Sequence, residues 1–318
     1  MNKREAVLTL LDKSQPPATI PAGFFIHFDK AFHRGQAAMD KHLAYFRYTG
    51  MDFVKIQYED TFPHLPQIQK PGDWAKMPLY QEDFYENQLA IVKGLLQAAQ
   101  KEALVIMTLY SPLMCAGSTA GRQLLREHIE TDPEKVKKGL EIITESLMIF
   151  VKACIKLGID GFYASTQGGE AGQFGGSPLF EEVVKPYDLA LMTEMNRACI
   201  FNILHICDYH SGYDDLTPFL DYPGHIVNCS QQVGSQKLST RQLSRLFNRP
   251  FMGGLERKGI ITHGSQAEIS QAVTGVLQDA PEKFILAADC TLPNDINWDN
   301  IKTAISTAHD YSHTRHTP

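Results

Sequence analysis

The chain has 318 residues, 43% of them hydrophobic and 21% charged, with a formal net charge of −6. That composition suits a globular fold with a large core and excludes a disordered chain. The acidic balance, with no run of Lys and Arg to track phosphates, argues against nucleic-acid binding.

The first segment, MNKREAVLTLLDKSQPP, has an apolar stretch broken by Asp12 and Lys13. A signal peptide needs an unbroken apolar region, so this pattern predicts a short amphipathic helix. No stretch long enough to span a bilayer lacks charges, and no membrane partner is expected. Cys115, Cys154, Cys199, Cys207, Cys229 and Cys290 read as thiols or ligands rather than a disulfide framework, in a cytoplasmic protein.

Eight short apolar runs follow in order: Phe24–Phe28, Phe53–Tyr58, Leu104–Leu109, Gly161–Ser165, Asn202–Cys207, His225–Ser230, Pro250–Leu255 and Phe284–Asp289. Their length and their aromatic and β-branched content predict buried strands. Helical spacing of apolar residues fills Asp83–Gln100, Pro133–Leu157, Pro178–Asn196, Thr240–Phe247, Ser265–Leu277 and Trp298–Asp310. Ser177-Pro178 and Asp132-Pro133 place a capping residue before a helix-starting proline, and Ser265 with Glu268 reads as a capping box. Eight strands alternating with helices at this length predict an α/β fold, a single (β/α)8 TIM barrel over 1–318. A doubly wound sheet is the alternative, but neither GxGxxG nor GxxxxGK[ST] follows the first strand.

In such a barrel the active site lies where strands end and loops begin. His205 and Cys207, at i and i+2 on one strand, share a face. Cys290 ends the eighth strand, across the same mouth. One imidazole and two thiolates suit Zn2+ with one exchangeable position, which Glu59, Glu170, Asp289 or a water would fill. The competing reading makes both cysteines small buried hydrophobes. Other candidates at strand ends are His27 and Asp29, as a proton pair or substrate contacts, then Gln57, Tyr58, Tyr110, and the Glu256-Arg257 pair for an anionic group. Packing explains the tyrosines as simply, and a salt-bridged loop explains Glu256 and Arg257.

Gly158–Tyr163 (GIDGFY), Pro178–Tyr187 (PLFEEVVKPY), Ile203–Cys207 (ILHIC), Gly253–Gly259 (GGLERKG) and Ile285–Asn300 (ILAADCTLPNDINWDN) carry a resemblance. Together they resemble the uroporphyrinogen decarboxylase superfamily, which includes corrinoid-dependent, zinc-containing methyltransferases. The resemblance implies a (β/α)8 barrel. Its methyltransferase branch carries His-x-Cys and a distant Cys as zinc ligands, matched by His205, Cys207 and Cys290. It implies methyl transfer, with a methyl-corrinoid as co-substrate and a corrinoid protein as partner, to a small-molecule thiol bound at zinc. His27, Glu59 and Asp289 are then the candidate catalytic residues. Asp29, Gln57, Tyr58, Tyr110, Glu170, Glu256 and Arg257 are the candidate substrate contacts.

The superfamily's decarboxylases need no metal. Their paired arginines after the first strand are one here, Arg34, and their Gly-His-Gly near the last strand reads Ala288-Asp289-Cys290. A cofactor-free carboxy-lyase acting on a carboxylated tetrapyrrole is the alternative enzyme. A corrinoid- or tetrapyrrole-binding protein without turnover is the third reading.

Overall fold

Seven of the eight apolar runs form strands. The computed structural model describes residues 2–12, 14, 17, 19–59 and 61–315. Lys13 and the two ends of the expected 1–318 domain lie outside the described residues. The strands are β1 (Phe53–Ile56), β2 (Leu104–Tyr110), β3 (Gly161–Thr166), β4 (Ile203–Ile206) and β5 (Ile226–Cys229). A two-stranded antiparallel hairpin follows, β6 (Gln232–Val233) and β7 (Gln236–Lys237), and then β8 (Phe251–Leu255) and β9 (Phe284–Ala288). The hairpin was not expected. The other seven strands pair in parallel, in chain order, β1-β2-β3-β4-β5-β8-β9.

The run Phe24–Phe28 departs from the expectation. It forms no regular strand; Ala22 and Ile26 make isolated parallel bridges to Leu286 and Leu292. The segment still reaches both edges of the sheet. Gly23 N–H donates to the Leu286 carbonyl at 3.0 Å, and Asp52 N–H to the Ala22 carbonyl at 3.0 Å. Two local features interrupt the ladder. Pro21 has no N–H to give, and the Ala22 N–H is taken by the Asp52 carboxylate at 2.7 Å. The architecture is therefore an α/β fold on a curled seven-stranded parallel sheet, and not the fully closed eight-stranded barrel.

The helices are α1 (Lys3–Leu8), α2 (Gly35–Thr49), α3 (Glu86–Ala99), α4 (Pro112–Ala120), α5 (Arg122–Thr131), α6 (Pro133–Leu157), α7 (Lys185–Ala198), α8 (Thr240–Phe247), α9 (Ile260–His263), α10 (Gln266–Asp279) and α11 (Trp298–Arg315). Asp132 caps α6 by accepting from the Lys135 N–H, and Ser265 with Glu268 forms the capping box of α10. The stretch expected as one helix from Pro178 opens as a π-helical turn, Phe180–Val184, before α7. Among the described residues no helix is long and apolar enough to cross a membrane.

Two apolar cores result from the alternation of side chains along the strands. One face packs on the helices. The other gathers at least one residue from each of the seven strands, among them Phe53, Ile106, Tyr163, Ile203, Ile226, Met252 and Ile285. Val7 and Leu10, from α1 and the turn after it, complete this inner core. Continued toward the strand ends, the same alternation places Lys55, Gln57, Thr108, Ser165, His205 and Cys207 around one cavity of about 280 Å3.

Candidate metal centre

His205 and Cys207 stand two positions apart, at the end of β4 and just past it. Both are buried, at 2% and 5% exposure. The Cys207 N–H donates to the Thr166 carbonyl at 3.0 Å, which carries the parallel pairing one residue past β4. Cys290 follows β9 by two residues and turns back toward the same cavity. Its Sγ lies 3.9 Å from the Cys207 Sγ and 3.4 Å from the His205 Nε2. One donor atom from each of the three falls within 4.8 Å of the other two.

These spacings fit zinc. Bonds of about 2.3 Å to sulfur and about 2.0–2.1 Å to nitrogen, at tetrahedral angles, put two sulfurs about 3.8 Å apart. They put sulfur and nitrogen about 3.5 Å apart. The donor set, two thiolates and an imidazole, is one zinc accepts.

The surroundings fix the three side chains. The His205 ring stacks on Tyr163, with centroids 4.7 Å apart and planes 29° apart. The Tyr163 hydroxyl donates to the Asn228 side-chain carbonyl at 2.6 Å, and the Asn228 amide donates to the Met252 and Ala288 carbonyls. The Gln167 amide donates to the Cys207 sulfur at 3.3 Å, and Arg122 donates to the Gln167 carbonyl at 3.0 Å. The Cys207 thiol is pushed well below its usual range by the hydrogen bond from Cys290, which outweighs burial. As the donor, Cys290 is pushed well above it.

Gln57, Tyr110 and His27 line the same cavity. Gln57 accepts from Lys55 at 2.5 Å and from Thr108 at 3.3 Å, and its own amide donates to the Ile26 carbonyl. His27 Nδ1 bonds the Glu59 carboxylate at 3.0 Å. Burial opposes the Glu59 charge, but His27, His33 and Lys55 together hold its pKa below the usual range.

The remaining candidates lie elsewhere. Asp29 is an exposed residue before the turn Lys30–Phe32. Tyr58 is 1% exposed on the helix-packed side, against Phe150 and Tyr110. Glu170 is fully buried, accepts from the Gly168 N–H, and is pushed up to about 7 by burial. Glu256, Arg257 and Asp289 line a separate cavity of about 300 Å3. There Arg257 bonds Asp208 at 2.6 Å and lies 3.8 Å from Asp289. Glu59, Glu170 and Asp289 all stand outside the three-donor group.

Lys55, Gln167 and His210 are among the cavity-wall residues that went unread in the sequence. Lys55 had a signal, a lone cation inside the apolar run FVKIQY, two places before Gln57. Gln167 had none beyond its place at the end of β3.

The comparisons agree with this geometry at the level of fold. No curated protein sequence matches the chain. A methyltransferase from Methanosarcina mazei superposes with a TM-score of 0.75 at 13% identity, over 98% of this chain and 99% of that one. A B12-independent methionine synthase from Shewanella sp. W3-18-1 gives 0.58 at 12% identity, over 93% and 98%. The uroporphyrinogen decarboxylase (URO-D) family model matches residues 47–311, the greater part of the chain, and the protein belongs to that family.

Proposed function

We propose that this protein is a zinc-dependent methyltransferase that moves a methyl group to a thiol, with a methyl-corrinoid as donor. The observation that carries the reading is the convergence of His205, Cys207 and Cys290, with donor spacings of 3.4 and 3.9 Å. The likeness to a Methanosarcina mazei methyltransferase supports it at the level of fold. The proposal includes a small thiol substrate, a corrinoid protein as partner, and a barrel whose eighth stave is the irregular segment 21–26.

His205, Cys207 and Cys290 hold the metal in this reading. Zinc bound there supplies Lewis acidity, which makes a thiol ionise near neutral pH. The protein's own residues do the rest. Tyr163 fixes the imidazole plane, and the Gln167 amide orients the Cys207 sulfur. Tyr110, Tyr163 and Met114 wall the cavity and limit water around the reacting sulfur. In this reading the His27–Glu59 pair, whose His27 lines the cavity, holds the proton that leaves the thiol. Glu170 and Asp289 are not assigned a part in this step.

A carboxylated tetrapyrrole asks for several cations. The cavity wall supplies one amine, Lys55, and no guanidinium, so the decarboxylase reading gains no support there.

Metal analysis of protein purified without added metal tests the proposal. One zinc per chain is expected, with most of it lost in Cys290→Ser and Cys207→Ser. A wild-type protein that neither contains nor takes up zinc ends the reading.

A further inference from the structure

Lys55 is the least expected residue in the cavity. It sits mid-strand on β1, 5% exposed, on the inner face. Its ammonium lies 4.5 Å from the centroid of the Phe25 ring and 4.7 Å from that of Tyr163. Its hydrogen bond goes to the Gln57 side-chain carbonyl at 2.5 Å. Among the described residues it forms no ion pair. Ring faces and an amide favour a cation but do not neutralise it. Glu59 acts on this charge only from beyond ion-pair distance, and a buried cation with no anion in contact is costly, which leaves room for an anion beside it.

Cys207, Cys290 and His205 line the same cavity as Lys55. Zinc held by two thiolates and a neutral imidazole carries no net charge. A substrate entering as thiolate brings one negative charge into a buried space, and nothing in the three-donor group offsets it. We propose that Lys55 is the countercharge for the substrate thiolate, so that the site selects ligands that arrive as anions. The inference rests on the zinc–thiol reading above.

The environment of the amine agrees. Burial pushes Lys55 down to about 7, with Glu59, Cys290 and Cys207 pulling the other way. His42 on α2, whose own pKa burial lowers to about 4, also faces this amine. An anion added to the cavity strengthens the protonated form of Lys55, and the thiolate gains by the same amount.

The test uses full-length protein loaded with zinc or Co(II). The probes are 2-mercaptoethanol, an uncharged thiol that binds as an anion, and imidazole, which binds neutral. In Lys55→Met, metal content and imidazole affinity should match wild type. Thiol affinity, read by calorimetry and by the sulfur-to-cobalt absorption band, should fall roughly tenfold or more. A merely structural role for Lys55 would move metal content and both ligands together. Gln57→Glu is the second variant, placing a permanent carboxylate on the amine; it should weaken the thiol selectively too, and it decides the matter if Lys55→Met does not fold. Wild-type thiol affinity in either metal-loaded variant overturns the inference and leaves the zinc reading standing. A wild-type protein that binds no zinc removes the reading beneath it as well.

Discussion

Asp188 shows how a single buried group sets a pH response. It is 1% exposed on α7 and accepts from the Thr166 hydroxyl at 2.5 Å and the Tyr222 hydroxyl at 3.2 Å. Burial pushes its carboxyl up to about 7. The unfolded chain releases that proton near pH 3.9, so between there and about 7 the folded state holds more protons. Stability contributed by the protonated form is therefore lost as pH rises through that window. Asp188→Asn removes the titration, so its stability relative to wild type should improve from pH 4.5 to pH 8. The change should be on the order of a few kcal/mol. Urea unfolding at the two pH values reads it, and an unchanged difference would refute the assignment. The shared face of His205 and Cys207 was legible at this same scale because i and i+2 spacing fixes a strand face. The partners that orient them were not. Gln167 and Tyr163 act through contacts between strands, and such contacts leave no mark in local spacing.

Among the elements, strands were read better than helices. Seven apolar runs became strands because each is buried on both faces, and continuous apolar sequence is what that burial requires. Helices α2, α4, α5 and the short α9 went unread; α4, PLMCAGSTA, is buried at most of its positions and shows little amphipathic contrast. The one run that failed, Phe24–Phe28, follows a backbone already diverted at Ala22, whose N–H the Asp52 carboxylate takes, and it makes only the isolated bridge at Ile26. Element spacing also explains Gly161, where β3 begins. A Cβ there would meet the Phe201 carbonyl oxygen at 1.6 Å. That oxygen belongs to the backbone leading into β4, where Phe201 N–H bonds the Asp160 carbonyl at 3.0 Å and cannot yield cheaply. Gly161→Ala should therefore cost about 3 kcal/mol. On the zinc reading proposed above, it should also lower metal content by displacing the strand that carries His205. Thermal unfolding and metal analysis of the variant check both, and an alanine tolerated without loss would show that the strands have room to part.

For the whole molecule, Asp52 is the knot. It bonds the Ala22 N–H at 2.7 Å, Lys3 at 3.1 Å and His309 on α11 at 2.9 Å. Burial opposes its charge, but His309, Lys3 and the Ala22 N–H outweigh it and hold the pKa below the usual carboxylate range. Such a group contributes stability above the unfolded value, about 3.9, and loses it as pH falls through the lower folded value. Asp52→Asn should cost about 2 kcal/mol at pH 7, and the cost should shrink in the acid range. Equal losses at pH 7 and pH 3 would show that shape, not charge, ties the seam. The seam has a further consequence, in the order of assembly. Neighbouring strands follow one another along the chain, so most of the sheet can form by short closures. Ala22 meets Leu286 only when nearly the whole length has been placed, which makes it one of the costliest closures in the fold. Cys290 stands two residues past β9, the strand that carries Leu286. His205 and Cys207 come from β4 and the residue after it, and Cys290 from just past β9, so the three side chains converge only when the sheet has been built through to its last strand.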